Sequence, residues 1–161
     1  MGRVLVTGAT GFIGLHCIQQ LLNRGYSVNG TVRSLDRKGE VIAALLSHNT
    51  QTEKLSLFEV DLNSDSGWND AITDCDYVLH VASPFVLTDE NEDFFVKPAV
   101  DGVLRALKFS SAHNVKKVVL TSSFAAIHES LDDMQESFNE DDWSDPDKLG
   151  ISFYAKSKTM A

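Results

Sequence analysis

The sequence predicts an α/β protein built on a doubly wound parallel sheet. Three observations predict it. Short β-branched runs alternate with amphipathic stretches at helical spacing along the chain. Those short runs lack strict polar alternation, as expected for strands covered on both faces. A glycine-rich turn joins the first strand to the first helix, where such folds hold an anionic ligand.

The elements follow in order. Arg3–Val6 reads as a strand. Phe12 to Arg24 reads as a helix, with Ile13, Cys17, Ile18, Leu21 and Leu22 at helical spacing and Gly25 just beyond it. Ser27–Val32 is a second strand. Arg37 to Ser47 is a second helix, with Val41, Ile42, Leu45 and Leu46 on its apolar face. Leu55–Val60 is a third strand, Trp68–Thr73 a short helix, and Tyr77–Val81 a fourth strand. Phe94 to Ala112 predicts a long helix, with Pro98 tolerable only near its first turns. Lys117–Thr121 is a fifth strand, followed by an acidic loop and a helix beginning near Ile151. Strand–helix alternation with right-handed crossovers gives the doubly wound arrangement.

Composition narrows the function. The 161 residues are 43% hydrophobic and 23% charged, which suits one globular domain with a buried core. No apolar run is long enough to span a bilayer or to serve as a signal peptide, so a cytoplasmic protein without membrane contact is expected. Net charge is −9, and the stretch from Glu129 to Asp147 holds nine acids with no Lys or Arg. The rest of the chain is balanced, which speaks against a nucleic-acid partner. The acidic stretch reads as a solvated loop, with Trp143 as its expected anchor. Cys17 and Cys75 lack metal or disulfide spacing and read as small core residues. His80 reads as a packed, hydrogen-bonded histidine, and no histidine shows metal-ligand spacing. Asn29-Gly30-Thr31 matches a glycosylation triplet but falls inside an expected strand.

Thr7-Gly8-Ala9-Thr10-Gly11-Phe12-Ile13-Gly14 carries the first chemistry. Gly8 permits the tight turn, Gly11 admits a pyrophosphate, and Gly14 lets the helix pack closely. The helix start then offers free N–H groups and a positive dipole end. Gly8, Thr10, Gly11, Phe12, Ile13 and Gly14 are the expected dinucleotide contacts of a Rossmann fold; the alternative is a glycine turn with no ligand. At the end of the second strand stands Arg33 rather than an acid, with Arg37 and Lys38 nearby. An acid there binds a ribose 2′-hydroxyl, whereas Arg accommodates a 2′-phosphate, so NADP is the expected cofactor, with Arg33 and Lys38 as contacts. The alternative for Arg33 is a solvated cation.

Tyr154 and Lys158 stand at i and i+4, on one face of the last helix. The fifth strand ends in Thr121-Ser122-Ser123, at the carboxyl edge where open sheets bind ligands. These residue types suit carbonyl reduction. A phenol can protonate the carbonyl oxygen, a nearby ammonium can ease its ionisation, and a serine hydroxyl can stabilise the oxyanion. Ser123, Tyr154 and Lys158 are the candidate catalytic residues.

These motifs, with Asp61-Leu62, His80-Val81-Ala82-Ser83-Pro84 and Lys97-Pro98-Ala99-Val100-Asp101-Gly102, make the chain similar to the extended short-chain dehydrogenase/reductases. Within them it resembles the dihydroflavonol 4-reductase and cinnamoyl-CoA reductase-like group. The resemblance implies that Ser123 rather than Ser122 is the catalytic serine. It implies adenine contacts at Asp61 and Leu62, a cofactor path along Val81, Ala82 and Ser83, and a ribose contact at Lys158. Phe124 departs from the small residue frequent in relatives. Asp101 stands where shorter relatives carry an Asn and is left out of the catalytic set.

Relatives of this kind are about twice as long, so residues 1–161 are expected to form the cofactor domain, with the substrate portion absent. The fifth strand is then an edge, with Val118, Val119 and Leu120 poorly covered, which favours association or aggregation, a homodimer being one form. Three readings remain open: an NADP-dependent reductase of small aldehydes and ketones, a dinucleotide-binding module without turnover, and a nucleotide-sugar epimerase. Arg33 speaks against the last.

Overall fold

The computed structural model describes residues 2–85, 91–129 and 137–161. Among these residues five strands form one parallel sheet: β1 Arg3–Val6, β2 Ser27–Val32, β3 Leu55–Glu59, β4 Tyr77–His80 and β5 Lys117–Leu120, in the order β3-β2-β1-β4-β5. Among the described residues six helices accompany them: α1 Phe12–Asn23, α2 Lys38–Ser47, α3 Trp68–Ile72, α4 Glu92–Ala112, α5 Ala125–His128 and α6 Phe153–Met160, with a 3₁₀ turn at Leu35–Arg37. The order reverses between β1 and β4, and such switch points are where open sheets bind ligands.

Two compact units are present. The first comprises Met1–Ala82 with Leu104–Thr121, the second Ser83–Val103 with Ser122–Ala161. The first holds the sheet and two cores. Alternation along β1 explains why there are two: Val4 and Val6 join Ile18, Leu22, Val41 and Leu45 of α1 and α2, whereas Leu5 joins Trp68, Ala71, Ile72 and Ala106 of α3 and α4. The central strands β1, β2 and β4 are covered on both faces, as their apolar residues require.

The differences from the sequence reading have local causes. Ser34 Oγ accepts the Asp36 amide at 3.2 Å and starts the 3₁₀ turn, so α2 begins at Lys38 rather than Arg37. Leu46 is exposed, because Val41 and Leu45 already define the buried face of α2. Asn91 Oδ1 accepts the Phe94 amide at 3.1 Å, and α4 starts at Glu92, earlier than expected; Pro98 then falls in its second turn. Ser152 Oγ accepts the Ala155 amide at 3.1 Å, so the last helix begins at Phe153. The four-residue α5 is too short to show a period. Asn29 is buried in β2 and donates from Nδ2 to the Ala71 carbonyl at 2.8 Å, which makes it a structural residue. Cys75 is buried and its thiol is pushed up to about 11 by desolvation; Cys17 is half-buried. β5 is a sheet edge, and Val119 and Leu120 are exposed.

Candidate active site

The glycine turn is built as its spacing predicts, with one refinement. Gly8 has a φ of +77°, a left-handed conformation suited to glycine, and its amide donates to Thr31 Oγ1 at 3.2 Å. A Cβ at Gly14 would overlap the Gly8 carbonyl oxygen. The close approach that needs Gly14 is therefore to the turn itself rather than to the strand. The Leu15 amide makes the first helical bond, to Gly11 at 2.9 Å. The amides of Phe12, Ile13 and Gly14 have no acceptor among the described residues. The Phe12 side chain is 78% exposed, so this residue offers a ligand its backbone.

Arg33 is exposed just past β2, with no partner among the described residues. Lys38 opens α2 and is likewise exposed. Arg37 is the cation that reaches the glycine turn: Nη1 donates to Thr10 Oγ1 at 3.2 Å while Nη2 pairs with Glu40 at 2.8 Å. The sequence marks Arg37 only as nearby charge, because a cross-turn bond leaves no spacing signal. Glu59, at the end of β3, also enters this turn by accepting the Leu35 amide at 3.0 Å.

Asp61 and Leu62 follow β3; the first is exposed and the second half-buried. Val81 and Ala82 follow β4, and both amides donate to Thr7 Oγ1 at 3.0 Å. His80 is buried, with Nδ1 3.0 Å from the same oxygen, which matches its reading as a packed histidine.

In the second unit, Ser83 Oγ is buried with no hydrogen-bond partner among the described residues. Ser123 is half-buried, and its Oγ accepts the Ala125 amide at 3.2 Å. Ser122 is exposed. Tyr154 and Lys158 share one side of α6, with Lys158 Nζ 5.9 Å from the Tyr154 ring centroid. Burial pushes the Lys158 ammonium below its ordinary range. The helices α5 and α6 lie against each other, so the turn after Ser123 and the helix of Tyr154 belong to one packed element. Phe85 meets Tyr154 edge to face, with centroids 5.2 Å apart, a contact the sequence reading missed.

The acidic stretch is anchored differently from expectation; its residues 130–136 lie outside the described residues. Trp143 is 60% exposed and anchors nothing by burial. Ser144 does so instead: its Oγ donates to the Ala125 carbonyl at 2.9 Å and accepts the Glu129 amide at 3.1 Å, and its amide donates to the Ala126 carbonyl at 2.8 Å. A small hydroxyl can satisfy buried backbone groups at close range, whereas an indole cannot accept a hydrogen bond.

The sheet order and the glycine turn at the switch point define a Rossmann-like protein of the extended short-chain dehydrogenase/reductase class. The chain belongs to the 3-beta hydroxysteroid dehydrogenase/isomerase family, whose pattern matches residues 5–161. It is 36% identical over 170 residues to dihydroflavonol 4-reductase of Zea mays, covering 99% of this chain and 46% of that protein. It is 38% identical over 168 residues to vestitone reductase of Medicago sativa, covering 99% and 51%. The crystal structure of a yeast methylglyoxal/isovaleraldehyde reductase complexed with NADPH superposes with a TM-score of 0.81 at 30% identity, covering 98% of this chain and 50% of that one. The chain thus spans about half the length of the curated relatives it matches. A UDP-galactose 4-epimerase structure at 22% identity and a TM-score of 0.71 shares the fold alone.

Proposed function

We propose that residues 1–161 form the dinucleotide-binding domain of an NADP(H)-dependent reductase of aldehyde or ketone carbonyls. One observation carries the reading: three open amides at the start of α1, beside a glycine pair too close for any side chain. Such a start is an anion site shaped for backbone approach. The residues present fit the cofactor. Phe12, Ile13 and Gly14 donate to the pyrophosphate, Arg33 and Arg37 receive the 2′-phosphate with Lys38 beside them, and Asp61 and Leu62 take the adenine. Val81, Ala82 and Ser83 follow the cofactor path, and the unpartnered Ser83 hydroxyl suits a ligand group. The complex of the yeast reductase with NADPH supports the cofactor choice.

When bound, the nicotinamide supplies a hydride to the carbonyl carbon. Tyr154 donates the proton to the carbonyl oxygen. Ser123 hydrogen-bonds that oxygen as charge develops on it. Lys158 holds the nicotinamide ribose and favours the phenolate that Tyr154 leaves behind. The exposed Arg33 favours this reading over an NAD-dependent epimerase.

Calorimetry of the 161-residue chain with NADPH, followed by nicotinamide absorbance with aldehydes and ketones, tests the proposal. Binding with turnover lost in Tyr154→Phe supports it. Binding without turnover reduces the chain to a nucleotide-binding module, and absence of binding overturns the reading.

A further inference from the structure

The loop assigned to the adenine is held from a distant part of the sequence. The Asp61 carbonyl accepts the Trp68 indole N–H at 3.3 Å and the Ser64 amide at 3.2 Å. The next carbonyl, of Leu62, accepts Arg105 Nη1 at 2.7 Å. Arg105 lies on α4, 43 residues away in sequence, and its side chain is only 20% exposed. Its Nε donates to Asp65 Oδ1 at 2.8 Å, and Lys108 Nζ takes Asp65 Oδ2 at 2.7 Å. Trp68 stacks on Phe109 of α4, with centroids 6.1 Å apart and planes 7° from parallel. Thus α4 reaches two successive carbonyls, one directly through Arg105 and one through Phe109 and Trp68.

The Asp61 carbonyl and the Leu62 amide share a planar trans unit and point in opposite directions. Turning that carbonyl toward Trp68 sends the Leu62 N–H the other way, and it meets no acceptor among the described residues. Asp61 Oδ1 accepts the Asn63 amide at 2.7 Å, which fixes the carboxylate beside it. The loop presents a fixed donor next to a fixed acceptor. Adenine offers the complement, a ring nitrogen that accepts and an exocyclic amine that donates.

We propose that Arg105 is a positioning residue for adenine recognition: anchored on Asp65, its guanidinium fixes the Leu62 carbonyl and thereby the donor–acceptor pair of Leu62 and Asp61. This rests on the reading that Asp61 and Leu62 take the adenine. Replacing the guanidinium frees the loop without touching the ligand, so the loss falls on discrimination between bases.

The test compares NADP with its hypoxanthine analogue by calorimetry on the 161-residue chain. The analogue carries an oxo group for the amine and a ring N–H for the accepting nitrogen. The unaltered chain is expected to prefer NADP about tenfold, and Asp61→Ala to abolish the preference. Arg105→Met is expected to bring it below about threefold. Arg105→Lys keeps the charge and the ion pair with Asp65 but gives up the fork, and is expected to fold as the parent does with the preference cut at least by about half. Uniform destabilisation weakens both ligands alike and leaves the ratio unmoved. A ratio lost in Asp61→Ala but kept in both Arg105 variants overturns this inference alone. Equal binding of the two dinucleotides by the unaltered chain overturns the adenine reading and this inference with it.

Discussion

Thr7 Oγ1 lies 3.0 Å from His80 Nδ1 and accepts the amides of both Val81 and Ala82 at the same distance. A hydroxyl has two lone pairs and one proton. With both lone pairs occupied, the proton goes to His80, whose Nδ1 must accept. This geometry predicts the tautomer with its ring proton on Nε2. This cluster joins the ends of β1 and β4, at the point where the sheet order reverses. Nitrogen NMR of the labelled chain at neutral pH is expected to show an unprotonated Nδ1; a proton found there contradicts the assignment.

The same cluster predicts a stability effect. Thr7→Val keeps the shape but strands the amides of two half-buried residues and the buried imidazole. It is expected to cost about 3 kcal/mol in urea unfolding, while Thr7→Ser stays within about 1 kcal/mol of the parent. A valine variant as stable as the parent would show that water replaces the hydroxyl.

Two glycines have opposite expectations. Gly14→Ala drives a methyl into the Gly8 carbonyl oxygen and is expected to lower stability by about 1–3 kcal/mol and to weaken NADP binding. Gly39 lies within α2 with nothing within 4 Å of its would-be Cβ, so Gly39→Ala is expected to add about 0.5–1 kcal/mol. Thermal melts of the pair check both signs.

The proposed contact of Arg33 with the 2′-phosphate predicts that cofactor choice rests on the turn after β2. Arg33→Ala is expected to raise the NADP dissociation constant about tenfold or more and to leave that for NAD within about twofold. Arg37→Ala should also weaken NAD, because its guanidinium is bonded to Thr10 of the glycine turn. Equal losses for both dinucleotides in Arg33→Ala would remove the 2′-phosphate role.

Lys158 predicts a pH effect. Burial lowers its folded-state pKa below the ordinary 10.5. Below the folded value both states hold the proton, and burying the ammonium destabilises the fold. Between the folded value and 10.5 only the unfolded chain holds it, so stability rises with pH across that window. Urea unfolding of the parent and Lys158→Met at about pH 7 and about pH 10 is expected to show the methionine variant's relative advantage shrinking at the higher pH. An advantage that grows with pH reverses the sign and excludes desolvation as the cause.

The sequence by itself determined the sheet, its parallel strands and the glycine turn, because strand and helix periods and a turn that only glycine can take are local properties. It also placed Tyr154 and Lys158 on one helix side, since spacing alone does that. Only the tertiary structure decided which groups are spent on holding the fold. The amides of Val81 and Ala82 go to Thr7, Arg37 goes to Thr10, and Ser144 rather than Trp143 holds the acidic stretch. Arg105 reaches the loop of Leu62 across 43 residues of sequence. Such bonds join residues remote along the chain, so no period or spacing records them; they exist once packing has set which strand ends and loops are neighbours.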